Sequence, residues 1–201
     1  MPPERRRLTP PYRAQWESRD LVAAFLAGQD PATDPAWAAS GAADAAEYAR
    51  WAGHLCGCAC LQMVLGAQGR PVPPIHAIRR AVQAEGGYQE LADGTIRGLI
   101  YAGAVAWLAG QRIAARIQLD LGAADLVGEG LFIASVHPAI RWPDRPSPGR
   151  GGHLVLVFGT DEAGRLRFHN PSGDSRASQE DTRLPPADFD RFFAGRGIRI
   201  G

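Results

Sequence analysis

The chain has 201 residues, enough for one domain with a full hydrophobic core. Its 22 Lys plus Arg against 21 Asp plus Glu leave a net charge of +1, so no global field draws it to nucleic acid or to anionic lipid. Its longest apolar run, Leu99 to Gly110, falls short of the ~20 residues that span a bilayer, which excludes an ordinary transmembrane helix.

Residues 1–14 carry Pro2, Pro3, Pro10 and Pro11 and read as an N-terminal arm. Its start lacks a compact apolar stretch before a small-residue cleavage site, so the chain is expected in the cytoplasm. A short helix is predicted near Asp20–Ala27, opened by the acidic Asp20, and a second over Ala45–Gly53. A third begins at Cys56 and stops at Gly66 or Gly69, where glycine can take the left-handed conformation. Helices over Ile75–Ala84 and Ile96–Leu108 follow. Strand character comes later: Arg112–Leu119 weakly, Leu131–Val136 clearly, then a hairpin of His153–Gly159 and Arg165–His169 around the turn 160–164. Ile198–Ile200 could close the sheet. Helices first and strands later predict an α+β fold, with a helical lobe and an antiparallel sheet lobe.

The three cysteines, at 56, 58 and 60, are odd in number and too close together for a disulfide framework, as expected of a reducing compartment. Cys56 sits at a helix mouth, where unpaired amides and the macrodipole favour a thiolate; a lowered thiol pKa is expected there. Gly57 beside it would let a substrate carbonyl approach the sulfur. Cys58 and Cys60 read as small buried hydrophobes. A zinc site from His54, Cys56, Cys58 and Cys60 fits poorly, because residues alternating at spacing two do not wrap a metal ion as a C-x-x-C knuckle does.

His153 follows Gly151-Gly152 and opens the best strand. Asn170 lies 17 positions on, about the distance at which a hairpin returns to its origin, so it can stand beside His153 and fix its tautomer. His137 is followed at once by proline and His169 should face away from Asn170, so both read as structural, like His54. The loop 141–152 carries Arg141, Arg145 and Arg150 against Asp144, a weak basic bias toward acidic substrate groups.

Cys56-Gly57-x-Ala59-x-Leu61-x-Met63-Val64-Leu65, Gly152-His153 before an apolar strand, and Asn170-Pro171 together resemble the double-glycine leader peptidase group of the papain clan, over about residues 50–175. The resemblance implies an α+β papain-like fold and a triad of Cys56, His153 and Asn170. It implies hydrolysis of a peptide or isopeptide bond in a peptide or protein substrate, through a thioester and without metal or cofactor. Where much of that group carries a glutamine about six positions before the cysteine, this chain has Arg50. Pro11-Tyr12-Arg13-Ala14-Gln15 instead resembles the Pro-Tyr-x-x-Gln opening segment of related peptidases, which implies Gln15 as oxyanion donor and residues 17–50 as an insertion within one domain. A surface glutamine on a mobile arm is the plainer reading of Gln15. Two further alternatives keep the same residues: a catalytically inactive peptide-binding module, and an acyl transferase in which an amine resolves the thioester.

Overall fold

The structure is a computed structural model that describes residues 9–128 and 130–201. The helical half comprises α1 (Val22–Leu26), α2 (Ala45–Ala52), α3 (Cys56–Ala67) and α4 (Ile75–Ala84). A small hairpin of β1 (Gln89–Glu90) and β2 (Ile96–Arg97) leads to α5 (Tyr101–Gly110). Then follow β3 (Ala115–Gln118), β4 (Leu131–Val136), β5 (His153–Thr160), β6 (Leu166–His169), α6 (Arg176–Gln179), β7 (Thr182–Leu184), α7 (Pro186–Asp190) and β8 (Phe193–Ile200). The six longer-range strands form one antiparallel sheet in the order β3-β8-β4-β5-β6-β7, an α+β arrangement.

Alternation along the strands divides the core in two. Ile133, Leu154, Leu156, Ile198 and Ile200 face α3, α4 and α5 in one buried cluster. Phe132, Ala134, Val136, Val155 and Val157 face the other way, under Phe168, Phe189 and Phe193. Helix α3 is apolar all round and ten of its residues are buried, as a helix enclosed on every side must be. It stops at Gly69 (φ 65°), where the amides of Gly69 and Arg70 return to the carbonyls of Gly66 and Leu65.

Three elements differ from the sequence reading. Helix α5 starts at Tyr101 and not at Ile96, because Ile96 and Arg97 pair with Glu90 and Gln89 and the Ile100 amide is held by the Gly87 carbonyl. Strand β8 is eight residues long and lies inside the sheet between β3 and β4, where only the fragment Ile198–Ile200 was expected to close the sheet. Of the N-terminal arm, residues 1–8 lie outside the described residues. The remainder is packed: Pro11 lies against Gly66, and the Pro10 carbonyl accepts from His169 Nε2 at 2.8 Å. Among the described residues no helix is long and apolar enough to cross a membrane.

Candidate active site

Cys56 opens α3 with no side-chain cap from Leu55, so the first amides of the helix have no intrahelical partner. The backbone amides of Leu154, Gly57 and Cys56, and the more distant Arg141 guanidinium, pull the thiol toward its anion. Burial nevertheless outweighs them and pushes the Cys56 pKa above the ordinary thiol value. This reverses the lowered pKa expected from the helix terminus alone. The dipole effect is worth a kcal/mol or so at a helix end, whereas desolvation of a buried anion moves a pKa by several units.

Gly57 also differs from expectation. A Cβ there would lie 2.7 Å from the Leu99 Cβ and 3.1 Å from Leu154 Cδ1. Its bare backbone is therefore covered by the two leucines, which lets α3 dock closely on the sheet; the space is not left for a substrate carbonyl.

The other half of the site comes from the β5–β6 hairpin. The register pairs Leu156 with His169 and Val157 with Phe168. Past His169 the chain turns, with the Gly173 amide on the Asn170 carbonyl, and this turn carries Asn170 and Ser172 to His153 at the start of β5. Both side chains reach the imidazole: Asn170 Oδ1 lies 2.8 Å and Ser172 Oγ 3.0 Å from His153 Nε2. The Ser172 amide also donates to Asn170 Oδ1 at 3.1 Å, which identifies that atom as the acceptor. His153 Nε2 therefore carries a proton and donates it to Asn170, and in the neutral ring Nδ1 is the basic nitrogen. Burial is the main reason His153 is pushed down to about 3, with Arg141 adding to it and the Asn170 bond opposing it. At neutral pH the pair is a thiol and a neutral imidazole.

Cys56 and His153 line one cavity of about 360 Å³ together with Leu99, Tyr101, Ser135 and Arg196. Arg141 holds the turn after β6, donating from Nε to the Ser172 carbonyl (2.5 Å) and from Nη2 to Ser172 Oγ (2.6 Å). The basic loop read as facing substrate is thus largely occupied: Arg150 pairs with Asp190 at 3.5 Å, and Arg145 lies over the Trp142 ring.

Gln15 is buried, which removes the reading of a surface glutamine on an arm. Its backbone amide donates to the Pro171 carbonyl at 3.0 Å, next to Asn170. Its Nε2 donates to the Ala52 carbonyl at 2.9 Å, at the end of the helix before Cys56. The segment 12–15 thereby ties the Cys56 side to the Asn170 side, a tie to which Tyr12 adds a bond to the Asn170 carbonyl.

Cys58, Cys60, His137 and His169 are occupied elsewhere. Cys58 Sγ contacts Tyr88 Oη at 3.4 Å and Cys60 is wholly buried. His137 Nδ1 accepts from the Ala139 amide. His169 uses both ring nitrogens, on Pro10 and on the Asp181 amide. Sequence reasoning did not single out Ser172, Tyr101, Ser135 or Arg196. Ser172 alone had a usable signal, its place two residues after Asn170 in the same turn.

No protein-family model and no curated protein matches the chain. Among solved structures it is similar to a double glycine motif protease from an AMS/PCAT transporter, solved in complex with the leader peptide. The identity is 19% and the TM-score 0.45, over 73% of this chain and 84% of that one. A likeness that shallow says nothing about chemistry.

Proposed function

We propose that the chain is a cysteine hydrolase of papain-like type that cleaves a peptide or isopeptide bond through a thioester. The observation that carries this reading is the His153–Asn170 bond on Nε2, which leaves the basic Nδ1 for a cavity that His153 shares with Cys56. As the sulfur attacks the scissile carbonyl, Nδ1 takes the thiol proton. It returns that proton to the leaving amine, and then deprotonates the water that releases the acid and restores the thiol. With both groups neutral at rest, proton transfer accompanies attack and does not precede it. The amides that pull on the Cys56 sulfur are also suited to the oxyanion, and Gln15 is assigned as a second donor through the Nε2 hydrogen that the Ala52 carbonyl does not use.

One observation favours a second reading. Cys56 is only 8% exposed and its pKa is raised, which also suits a module that holds a peptide without cutting it. Incubation with a diverse peptide library separates the two. Wild-type protein is expected to generate new termini, Cys56→Ala none, and His153→Ala products at a rate lower by about a hundred- to ten-thousandfold. Asn170→Ala should cost less, because Asn170 orients the ring and transfers no proton. Peptides recovered bound and intact from wild type would replace hydrolysis with binding. Transfer of the acyl group to an added amine would make the chain a transferase.

A further inference from the structure

Resting on the cysteine-hydrolase reading of this cavity, we propose that Arg196, with Tyr101 and Ser135, forms a carboxylate-binding subsite beside Cys56, so that the substrate is a peptide with an acidic residue next to the scissile bond. The subsite is built by a bulge. Ala134 pairs with Gly197 and Val136 with Phe193, so three residues of β8, Ala194 to Arg196, stand opposite the single residue Ser135. Bulges of this kind bend a strand and re-aim a side chain. Here Gly195 takes the left-handed conformation (φ 69°), and the Arg196 side chain lines the cavity that holds Cys56 and His153.

The surrounding residues keep that space open. A Cβ at Gly151 would lie 3.2 Å from the Ala194 Cβ, 3.3 Å from Ser135 Oγ and 3.8 Å from Arg196 Nη2. Tyr101 points the same way: burial pushes its phenol up, while the Ser135 hydroxyl and the Arg196 guanidinium pull against that rise. Two hydroxyls and one guanidinium thus converge, with Leu99, Leu119 and Leu154 on the walls to take the methylenes of an acidic side chain. Arg196 makes no ion pair with a carboxylate among the described residues, in contrast to Arg150, Arg165, Arg167 and Arg183. A guanidinium fork flanked by hydroxyl donors matches the two oxygens of a carboxylate.

The test uses N-bromoacetyl amino-acid amides of Asp, Glu, Asn and Gln on the purified protein, with Cys56 labelling followed by mass spectrometry. In each reaction the Cys56 sulfur forms a bond to the methylene carbon, the carbon–bromine bond breaks, bromide leaves, and the thiol proton passes to His153. At least one acidic reagent is expected to label Cys56 about tenfold or more faster than its amide counterpart. That ratio should fall to near one in Arg196→Met and be partly kept in Arg196→Lys, with thermal melting confirming that each variant is folded. Equal rates for acid and amide in the wild type, or an unchanged ratio in folded Arg196→Met, would overturn the subsite while leaving Cys56 as nucleophile. Failure of all four reagents to label Cys56 would overturn the hydrolase reading and the subsite with it.

Discussion

The residues at the centre of this site are held neutral by their burial, and that sets how they should respond to pH. Cys56 has its thiol pKa raised and His153 has its imidazole pKa lowered to about 3, so no thiolate–imidazolium pair is stored in the resting protein. Alkylation of Cys56 by iodoacetamide, which needs the thiolate, should therefore climb with pH and show no plateau below about pH 8.5, the ordinary thiol value. A plateau by pH 5 would mean that a preformed ion pair exists and that the amides around the sulfur outweigh its desolvation. Arg141 and Ser172 act at the same scale. The guanidinium holds Ser172, and Ser172 and Asn170 together hold His153 Nε2. The chain signalled Cys56, His153 and Asn170 through local pattern and hairpin arithmetic. It gave no sign of the Arg141–Ser172 bond, because that contact joins positions 31 residues apart through side-chain reach alone.

Among the elements, α3 and β5 form the contact on which the site depends, and Gly57 sets how closely they meet. Adding a methyl there drives it against the Leu99 Cβ and Leu154 Cδ1. Overpacking of this kind costs about 1–3 kcal/mol. Gly57→Ala should accordingly lower the denaturant midpoint; an unchanged midpoint would mean that the leucines move aside freely. The same region shows where elements could and could not be read from sequence. Helices α2, α3 and α4 and strands β4, β5 and β6 fell close to their expected places, since apolar periodicity and turn residues bound them. The start of α5 did not, because a continuous apolar run does not mark where extended chain becomes helix. Strand β8 was mostly missed, because Gly195 and Gly197 depress strand propensity at the bulge. Those two misreadings hid Tyr101 and Arg196, so the polar wall of the cavity was illegible while its sulfur and imidazole were not.

At the scale of the whole molecule, several buried histidines tie folding to pH. His76 is fully buried with no hydrogen-bond partner on either ring nitrogen among the described residues, and burial, with Arg79 nearby, lowers its pKa to about 4. His153 is lowered further and His169 in the same direction, each mainly by burial. A histidine with a folded pKa below its unfolded value near 6.5 binds fewer protons when folded, so stability rises with pH across the interval between the two values. Read downward, the loss begins near pH 6.5 and continues to the folded pKa, at up to about 1.4 kcal/mol per pH unit for each histidine. Between pH 7 and pH 5 that amounts to about 2 kcal/mol for each of His76 and His153. Asp34 and Asp181, whose carboxyl pKa values are lowered, lose their contribution only below the ordinary carboxylate value near 4, so of these groups the histidines act alone between pH 7 and pH 5, and only the lower end of the His153 window overlaps the aspartates. Denaturant unfolding at pH 7, 6 and 5 should show a steady fall in stability well before Asp34 and Asp181 titrate. His76→Gln should remove one histidine's share of that slope, because Gln does not titrate. A wild-type stability that is flat from pH 7 to pH 5, or a slope unchanged in His76→Gln, would mean that these imidazoles find protonated partners in the fold and that their burial is not what couples it to pH.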